Sequence, residues 1–418
     1  MKEKTEFSGW RVAAGAFMIM FMTLGALQTI AIFMPPIIKD TGFSAKSIML
    51  MPTFATLSGF VSNMLFGKFV KKLGLKWTIF TGVALLSLHY LVIAMTSSLT
   101  ILLIGTVVGG FCFGFATVAP CSILVSNWFV EKRATVTSIV FAGSMIGGAI
   151  LTPVCGSIIQ NFGWRTAYIV LAISIMVVCL LALFLIIESP SEKGQKALGY
   201  DKAATAKKEG RSGSSSKSSQ ASQVLKSPGL YVILIGVFFI GLATNSESYL
   251  GMFWQEKGMR IDTSSNLLGL YSLFAAGATL ILGRVTDKFG GKMYLLIFTV
   301  MMAVGLGLMT FTGVRSMIPL VIGLACFSFG GRRTANVIAP IILQDSFNSE
   351  EYKLIAGYGA AATQLGMAAS GPAVGILYDI RSAYEPAFYI LIGVGVIAAL
   401  LIRVGMLKVA AEQARRAY

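Results

Sequence analysis

About twelve long apolar stretches follow one another along the chain, and that succession leaves little choice of fold. A helix needs roughly 20 mainly apolar residues to cross the hydrocarbon of a bilayer. Such windows fall at 10–34, 48–70, 77–96, 98–127, 134–160, 164–187, 229–254, 265–286, 292–312, 316–343, 353–378 and 385–407. Charged residues make up only 12% of the 418, about half the share in a soluble domain. The bilayer is therefore the expected solvent, and an all-α, multi-pass membrane protein of twelve transmembrane helices the expected fold class.

The net charge of +16 would suggest nucleic acid in a soluble protein, but here the basic residues sort by loop. With the amino terminus in the cytoplasm, 25 of the 34 Lys and Arg residues fall at cytoplasmic ends and loops. Seven fall on the opposite side: Lys39, Lys46, Arg165, Lys257, Arg260, Arg315 and Arg381. This asymmetry predicts that both termini are cytoplasmic, with anionic lipid headgroups rather than nucleic acid meeting the excess charge. The expected location is a bacterial cytoplasmic membrane. No cleavable leader is read, because Val12 to Ile38 runs without a charge and lacks a small-residue cleavage site. Cys112, Cys121, Cys155, Cys179 and Cys326 lie within spans without ligand spacing, so they read as packing residues. No metal or cofactor is expected.

Hydrophobicity collapses between Glu188 and Ser227, and 203–222 is rich in Lys, Ser and Gly. Such a segment cannot bury enough apolar area to order itself. The expected organisation is a six-helix bundle over 1–187, a cytoplasmic flexible linker over 188–228 and a second six-helix bundle over 229–418. The halves repeat one another. Gly67-Lys68-Phe69-Val70-Lys71-Lys72-Leu73-Gly74-Leu75-Lys76 is answered 216 residues later by Gly283-Arg284-Val285-Thr286-Asp287-Lys288-Phe289-Gly290-Gly291-Lys292. Phe113-Gly114 is answered by Phe329-Gly330 at the same offset, and Pro153-Val154-Cys155-Gly156 by Pro372-Ala373-Val374-Gly375 at 219. A duplicated six-helix unit is the form expected of carriers that alternate access around a midplane site.

The doubled Gly-x-x-x-Asp-(Arg/Lys)-x-Gly-x-Lys loop resembles the signature of the major facilitator superfamily, and the likeness covers essentially the whole chain. It implies two pseudo-symmetric six-helix bundles and a cytoplasmic gate at Gly67, Gly74, Gly283, Arg284, Asp287 and Gly290. The first copy departs from the pattern by carrying Lys71 where an acid is usual. A narrower string runs through Asn127-Trp128-Phe129-Val130-Glu131-Lys132-Arg133, Ala142-Gly143-Ser144-Met145-Ile146-Gly147-Gly148, Pro153 and Phe162-Gly163-Trp164-Arg165-Thr166-Ala167-Tyr168. With Gly9-Trp10-Arg11-Val12 it resembles the oxalate:formate antiporter and monocarboxylate transporter branch. That branch implies small carboxylates moved with a proton or exchanged for another carboxylate. Members often carry an arginine in the eighth span and some a lysine in the eleventh; here Ser265 to Leu282 and Leu354 to Tyr378 contain no base. A substrate-binding cation then falls to Arg332 or Arg333.

Those two arginines are the strongest functional pointer, because a guanidinium near the bilayer centre costs several kcal/mol unless it faces a protected or watery interior. An arginine can grip a carboxylate with two parallel hydrogen bonds and stays protonated throughout. Successive helix positions diverge by about 100°, so one of the pair is expected to face a cavity and the other a helix interface. Gly330-Gly331 just before them permits a kink. The alternative is that both are structural, paired with carbonyls or an acid.

Counted along a straight helix from Ser316, Arg332 lies about 24 Å in, while Glu247 lies roughly 11 Å from the outer end of the seventh span. Glu247 is the proton-coupling candidate, or else a residue at a wet outer mouth. In the superfamily the first, fourth, seventh and tenth spans line the path, which adds Gln28, Asn245 and Asn336 as substrate-binding candidates. For Gln28 and Asn336 the competing reading is interhelical hydrogen bonding. Tyr271 is a further substrate-binding candidate and with Phe329 reads as aromatic gate, cavity wall or packing, and His89, the only histidine, reads as a satisfied structural residue. Glycines in the fifth and eleventh spans offer close-approach surfaces.

The leading expectation is a monomeric secondary carrier of a small organic anion, working by proton symport or anion exchange. An efflux carrier for a lipophilic compound is the alternative, and a non-transporting membrane sensor a further one. No nucleophile set, metal spacing or nucleotide loop points to an enzyme.

Overall fold

The computed structural model describes residues 7–131, 133–199, 224–312, 316–347 and 349–416. Among these residues the regular structure is helical, and eight stretches are long and apolar enough to cross a membrane by length and composition. Some helices run through two spans. The Arg133–Leu185 helix contains the fifth and sixth, separated at Gly163, and Ile261–Thr312 contains the eighth and ninth, separated at Gly290.

Four spans are interrupted, and the interruptions repeat. The first is Gly9–Leu27 and Ile30–Thr41, with Gln28 and Thr29 between them. The seventh is Pro228–Thr244 and Leu250–Glu256, joined by a 3₁₀ turn over Asn245–Tyr249. The fourth runs through Leu99–Gly110, Cys112–Phe115 and Val118–Trp128. The tenth is Met317–Gly330 and Arg332–Ser346. The second, third, eleventh and twelfth spans are Ala45–Leu73, Leu75–Met95, Ser349–Arg381 and Glu385–Arg416.

Two compact units are present. The first comprises 1–30 and 58–213, the second 31–57 and 214–418. In the first unit the glycines expected as a close-approach surface serve as one: a side chain at Gly143 or Gly147 would strike the carbonyl of Phe17 or Phe21. In the second, Gly366 and Gly241 bring the seventh and eleventh spans together in the same way, against the carbonyls of Phe238 and Thr363. Removing side chains from such faces lets backbones meet, which is how helices gain packing energy where lipid supplies no hydrophobic drive. The segment 31–57 joins the second unit through similar contacts. Gly251 abuts the Ala31 carbonyl, Gly371 abuts that of Met49, and Thr53 Oγ1 donates to Ala368 O at 2.7 Å.

The start of the expected tether is folded. Ser189 caps a 3₁₀ turn over Pro190–Lys193, and the backbone of Leu198 pairs with Trp128, Val130 and Glu131. Trp128 Nε1 donates to Ile187 O at 2.8 Å and Asn127 Nδ2 to Glu188 O at 2.9 Å. Residues 200–223 lie outside the described residues. At the other end Ser227 caps the seventh span ahead of Pro228, and Glu412 Oε1 accepts from the Gly229 amide at 3.1 Å.

Candidate functional site

The tenth span stops at Gly330 and restarts at Arg332, with Gly331 extended between them (φ −87°, ψ −177°). Adjacent glycines weaken a helix by about 1 kcal/mol each relative to alanine, but cost alone does not place the break. A Cβ on Gly331 would overlap the Tyr271 hydroxyl and stand 3.0 Å from the Phe327 carbonyl oxygen. With the Tyr271 hydroxyl where it is, a larger residue at 331 would have to displace it. Arg332 and Arg333 thus open a new helix, whose first amides lack intrahelical partners and whose end carries partial positive charge. The side chains of Arg332, Arg333 and Asn336 lie outside the described residues.

The break falls where Gly330-Gly331 is expected to permit a kink. Along two straight helices Glu247 and Arg332 would differ in depth by on the order of 13 Å, and the break and the 3₁₀ turn replace that straight-helix count. Tyr271, wholly buried on the eighth span, donates its hydroxyl to Glu247 Oε2 at 2.9 Å, and the same oxygen lies against Gly331. The acid and the residue preceding the first arginine therefore meet across one tyrosine. Phe327 stacks on the Tyr271 ring, with centroids 5.6 Å apart and planes at 25°.

Glu247 owes its position to the 3₁₀ turn. Asn and Ser side chains compete with the helix ladder for backbone groups, and the Asn-Ser-Glu-Ser-Tyr run adopts the tighter turn that is tolerated in short pieces. All five residues are buried, so Glu247 sits inside protein rather than at a wet mouth. The turn packs against the Arg332–Ser346 helix and against the eleventh span. Asn245 has both ends of its amide engaged: Nδ2 donates to Met367 O at 3.0 Å and Oδ1 accepts from Ser248 Oγ at 3.2 Å. Through these two bonds Asn245 fastens the turn. Gln28, at the matching break of the first span, belongs to the other unit, where its Nε2 donates to Ser144 O at 3.2 Å. Phe329 is half-buried. His89 is buried with Nδ1 2.9 Å from Gly105 O, the structural arrangement expected of it.

The two signature loops are alike where they turn. Gly74 (φ 83°) and Gly290 (φ 76°) occupy backbone conformations that L side chains rarely adopt. After each turn a carboxylate accepts from an amide at the start of the next span. Glu188 Oε1 accepts from the Lys76 amide at 2.8 Å, and Asp345 Oδ2 from the Gly291 amide. Neither acid was singled out by the sequence; the signal available was an acid at the end of the sixth span and another at the end of the tenth. Glu188 gives the first loop a carboxylate partner although Lys71 replaces the usual acid. A Cβ at Gly67 would meet open space, so packing does not require glycine there. Of the remaining gate residues, the Arg284 and Asp287 side chains and the surroundings of Gly283 lie outside the described residues.

A family model described as Major Facilitator Superfamily matches residues 16–264 and 233–416. The hexuronate transporter of Bacillus subtilis (strain 168) is 27% identical over 171 residues, 41% of this chain and 40% of that protein. Monocarboxylate transporter 11 of Homo sapiens is 26% identical over 165 residues, 39% of this chain and 35% of that one. The chain thus spans less than half the length of these two relatives. The multidrug resistance protein 2 of B. subtilis is 21% identical over 389 residues, 90% of this chain and 91% of its own. Among solved structures, the nucleoside transporter NupG superposes with a TM-score of 0.73 at 12% identity, covering 95% of this chain and 98% of that one. The xylose transporter XylE from E. coli, in a partially occluded inward-open conformation, gives a TM-score of 0.68 at 14% identity, covering 94% of this chain and 98% of that one. At these identities the likeness shows the fold alone: twelve transmembrane helices in two pseudo-symmetric bundles.

Proposed function

This chain belongs to the Major Facilitator Superfamily, and we propose that it is a secondary active transporter of a small organic anion, a carboxylate, working by alternating access. The observation that carries this reading is the restart of the tenth span at Arg332-Arg333 beside the buried Glu247–Tyr271 pair. A helix start and a guanidinium both favour an anion, and a guanidinium cannot discharge itself by losing a proton. The cargo neutralises it instead, which removes the electrostatic obstacle to moving the loaded site through a low-dielectric region. Glu247 serves as the proton site if transport is symport; a strict exchanger has no need of one. Asn336, one turn beyond Arg332, orients the same ligand. Both termini are cytoplasmic, the location is a bacterial cytoplasmic membrane, and the protein acts as a monomer.

The test is uptake of radiolabelled lactate, oxalate and benzoate into proteoliposomes, wild type against Arg332→Gln and Arg333→Gln. Uptake of at least one anion, lost in one of the two variants, supports the reading. A second reading is efflux of a lipophilic compound, favoured by the likeness along 90% of the chain to a protein named for multidrug resistance. Dye extrusion that survives replacement of both arginines, with no carboxylate uptake in the wild type, would support it instead.

A further inference from the structure

We propose that Tyr271 is a positioning residue: it couples Glu247 to the point where the tenth span restarts, and so sets how the helix bearing Arg332 and Arg333 is presented to the anion. This rests on the functional reading above for the identity of the ligand, but its structural half does not.

The Tyr271 hydroxyl is fixed from three sides. Its oxygen donates to Glu247 Oε2 at 2.9 Å, it lies against Gly331 where a methyl group would overlap it, and its ring stacks on Phe327. Phe327 belongs to the helix that ends at Gly330, whereas Gly331 leads directly into the helix that begins at Arg332. One side chain therefore touches the residues on both sides of the break while bonded to an acid on the seventh span. Buried interiors are close-packed, so a tyrosine tip cannot shift without its neighbours following. When Glu247 exchanges the Tyr271 hydroxyl for another partner, the oxygen pressing on Gly331 moves and the first turn of the following helix moves with it. Tyr271 need not touch the anion to do this. The notion of Tyr271 as cavity wall gives way to that of a wedge seated in a helix break.

The experiment is a cycle of three variants: Tyr271→Phe, Gly331→Ala and the double. Phenylalanine keeps the ring and its stacking but removes the oxygen, which makes room for an alanine methyl at 331, leaving the Tyr271 Cζ position 3.2 Å from it. Melting temperature in detergent, without ligand, is read first. Gly331→Ala is expected to lower it, and the double variant to recover a large part of the loss; if Gly331→Ala yields no folded protein, recovery of folded protein by the double variant is the same result. Uptake of lactate, oxalate and benzoate is read second. Tyr271→Phe is expected to raise the half-saturating concentration roughly tenfold, with the maximal rate changed less than about threefold. A double variant no better folded than Gly331→Ala, or a Tyr271→Phe protein with wild-type half-saturation, overturns the proposal. Wild-type protein that takes up none of the three anions overturns the functional reading alone, since the ligand-free melting cycle still decides whether Tyr271 wedges the break.

Discussion

The fourth and tenth spans stand at corresponding places in the two halves of the sequence, and both are broken, yet the breaks are chemically unlike. In the fourth, Ala116 (φ −138°, ψ 28°) and Thr117 (φ −128°, ψ −124°) interrupt the helix, and neutral groups answer the freed backbone. Thr23 Oγ1 donates to the Ala116 carbonyl at 3.1 Å, and the Gly114 amide donates to Ser62 Oγ at 2.9 Å. In the tenth, the break is a single glycine beside the hydroxyl of a tyrosine bonded to a buried acid, and two arginines follow it. A broken helix by itself is therefore architecture, admissible in a membrane wherever neighbouring protein satisfies the backbone. Charge at the break is a different matter, since it costs several kcal/mol unless something compensates it. The asymmetry is the feature on which the proposed anion site in the second unit rests.

The sharpest way to break that comparison is to neutralise each discontinuity. Replacing Arg332 or Arg333 by glutamine is expected to lower initial rates of carboxylate uptake on the order of 100-fold for whichever arginine grips the ligand, since truncating one partner of a buried charge pair costs roughly 2–5 kcal/mol. Thr117→Ala in the fourth span should leave those rates within about threefold. Equal damage from both would mean the two breaks do the same work.

Next in size comes Glu247→Gln, which retains an acceptor for Tyr271 but cannot carry a proton. Under symport, uptake driven by an imposed proton gradient should fall about tenfold or more while counterflow of preloaded anion continues. Its counterpart in the first unit, Thr23→Val, should cost about 1 kcal/mol of stability and leave the gradient dependence untouched. Unchanged gradient-driven uptake in Glu247→Gln would move the proton site to another residue, whereas wild-type uptake that ignores the gradient would assign the protein to exchange.

Much of this architecture is legible in the sequence because composition governs it: windows of apolar residues dictate spans, and Gly330-Gly331 marks a weak helix. The closing partner of that weak point is not legible. Tyr271 meets Gly331 across 60 residues of sequence, and no periodicity reveals which side chain will enter a gap in another span. The Asn-Ser-Glu-Ser-Tyr run reads equally well as a wet mouth or a buried turn until the eleventh span supplies Met367 O as a partner. Glu188 reads as the start of a polar tether because its bond to the Lys76 amide reaches back 112 residues. Local pattern sets the helices; long-range polar contacts, sparse in an apolar chain, set the site.

The signature loops offer a comparison in which the halves should agree. Glu188→Gln and Asp345→Asn each weaken a carboxylate bond to an amide at a span's start, and each should cost about 1 kcal/mol, seen as similar drops in melting temperature. A drop confined to Asp345→Asn would mean that the first loop does not depend on its substitute acid.

The smallest effect belongs to the exposed Lys257–Glu385 pair, 2.7 Å apart. Its hydrogen bond with Glu385 raises the Lys257 pKa above the ordinary lysine value. That stabilisation is fully present below the ordinary value and lost as pH rises through the raised one. Because both side chains meet solvent, Glu385→Gln should cost no more than about 0.5 kcal/mol, diminishing with added salt. A melting difference that is insensitive to salt would contradict this account of the pair.

The central claim is most directly tested by equilibrium binding of radiolabelled carboxylate to purified protein, wild type beside Arg332→Gln and Arg333→Gln. The account predicts saturable binding that one of the two substitutions abolishes while melting temperature stays near that of the wild type. Saturable binding of equal affinity in all three proteins would contradict it.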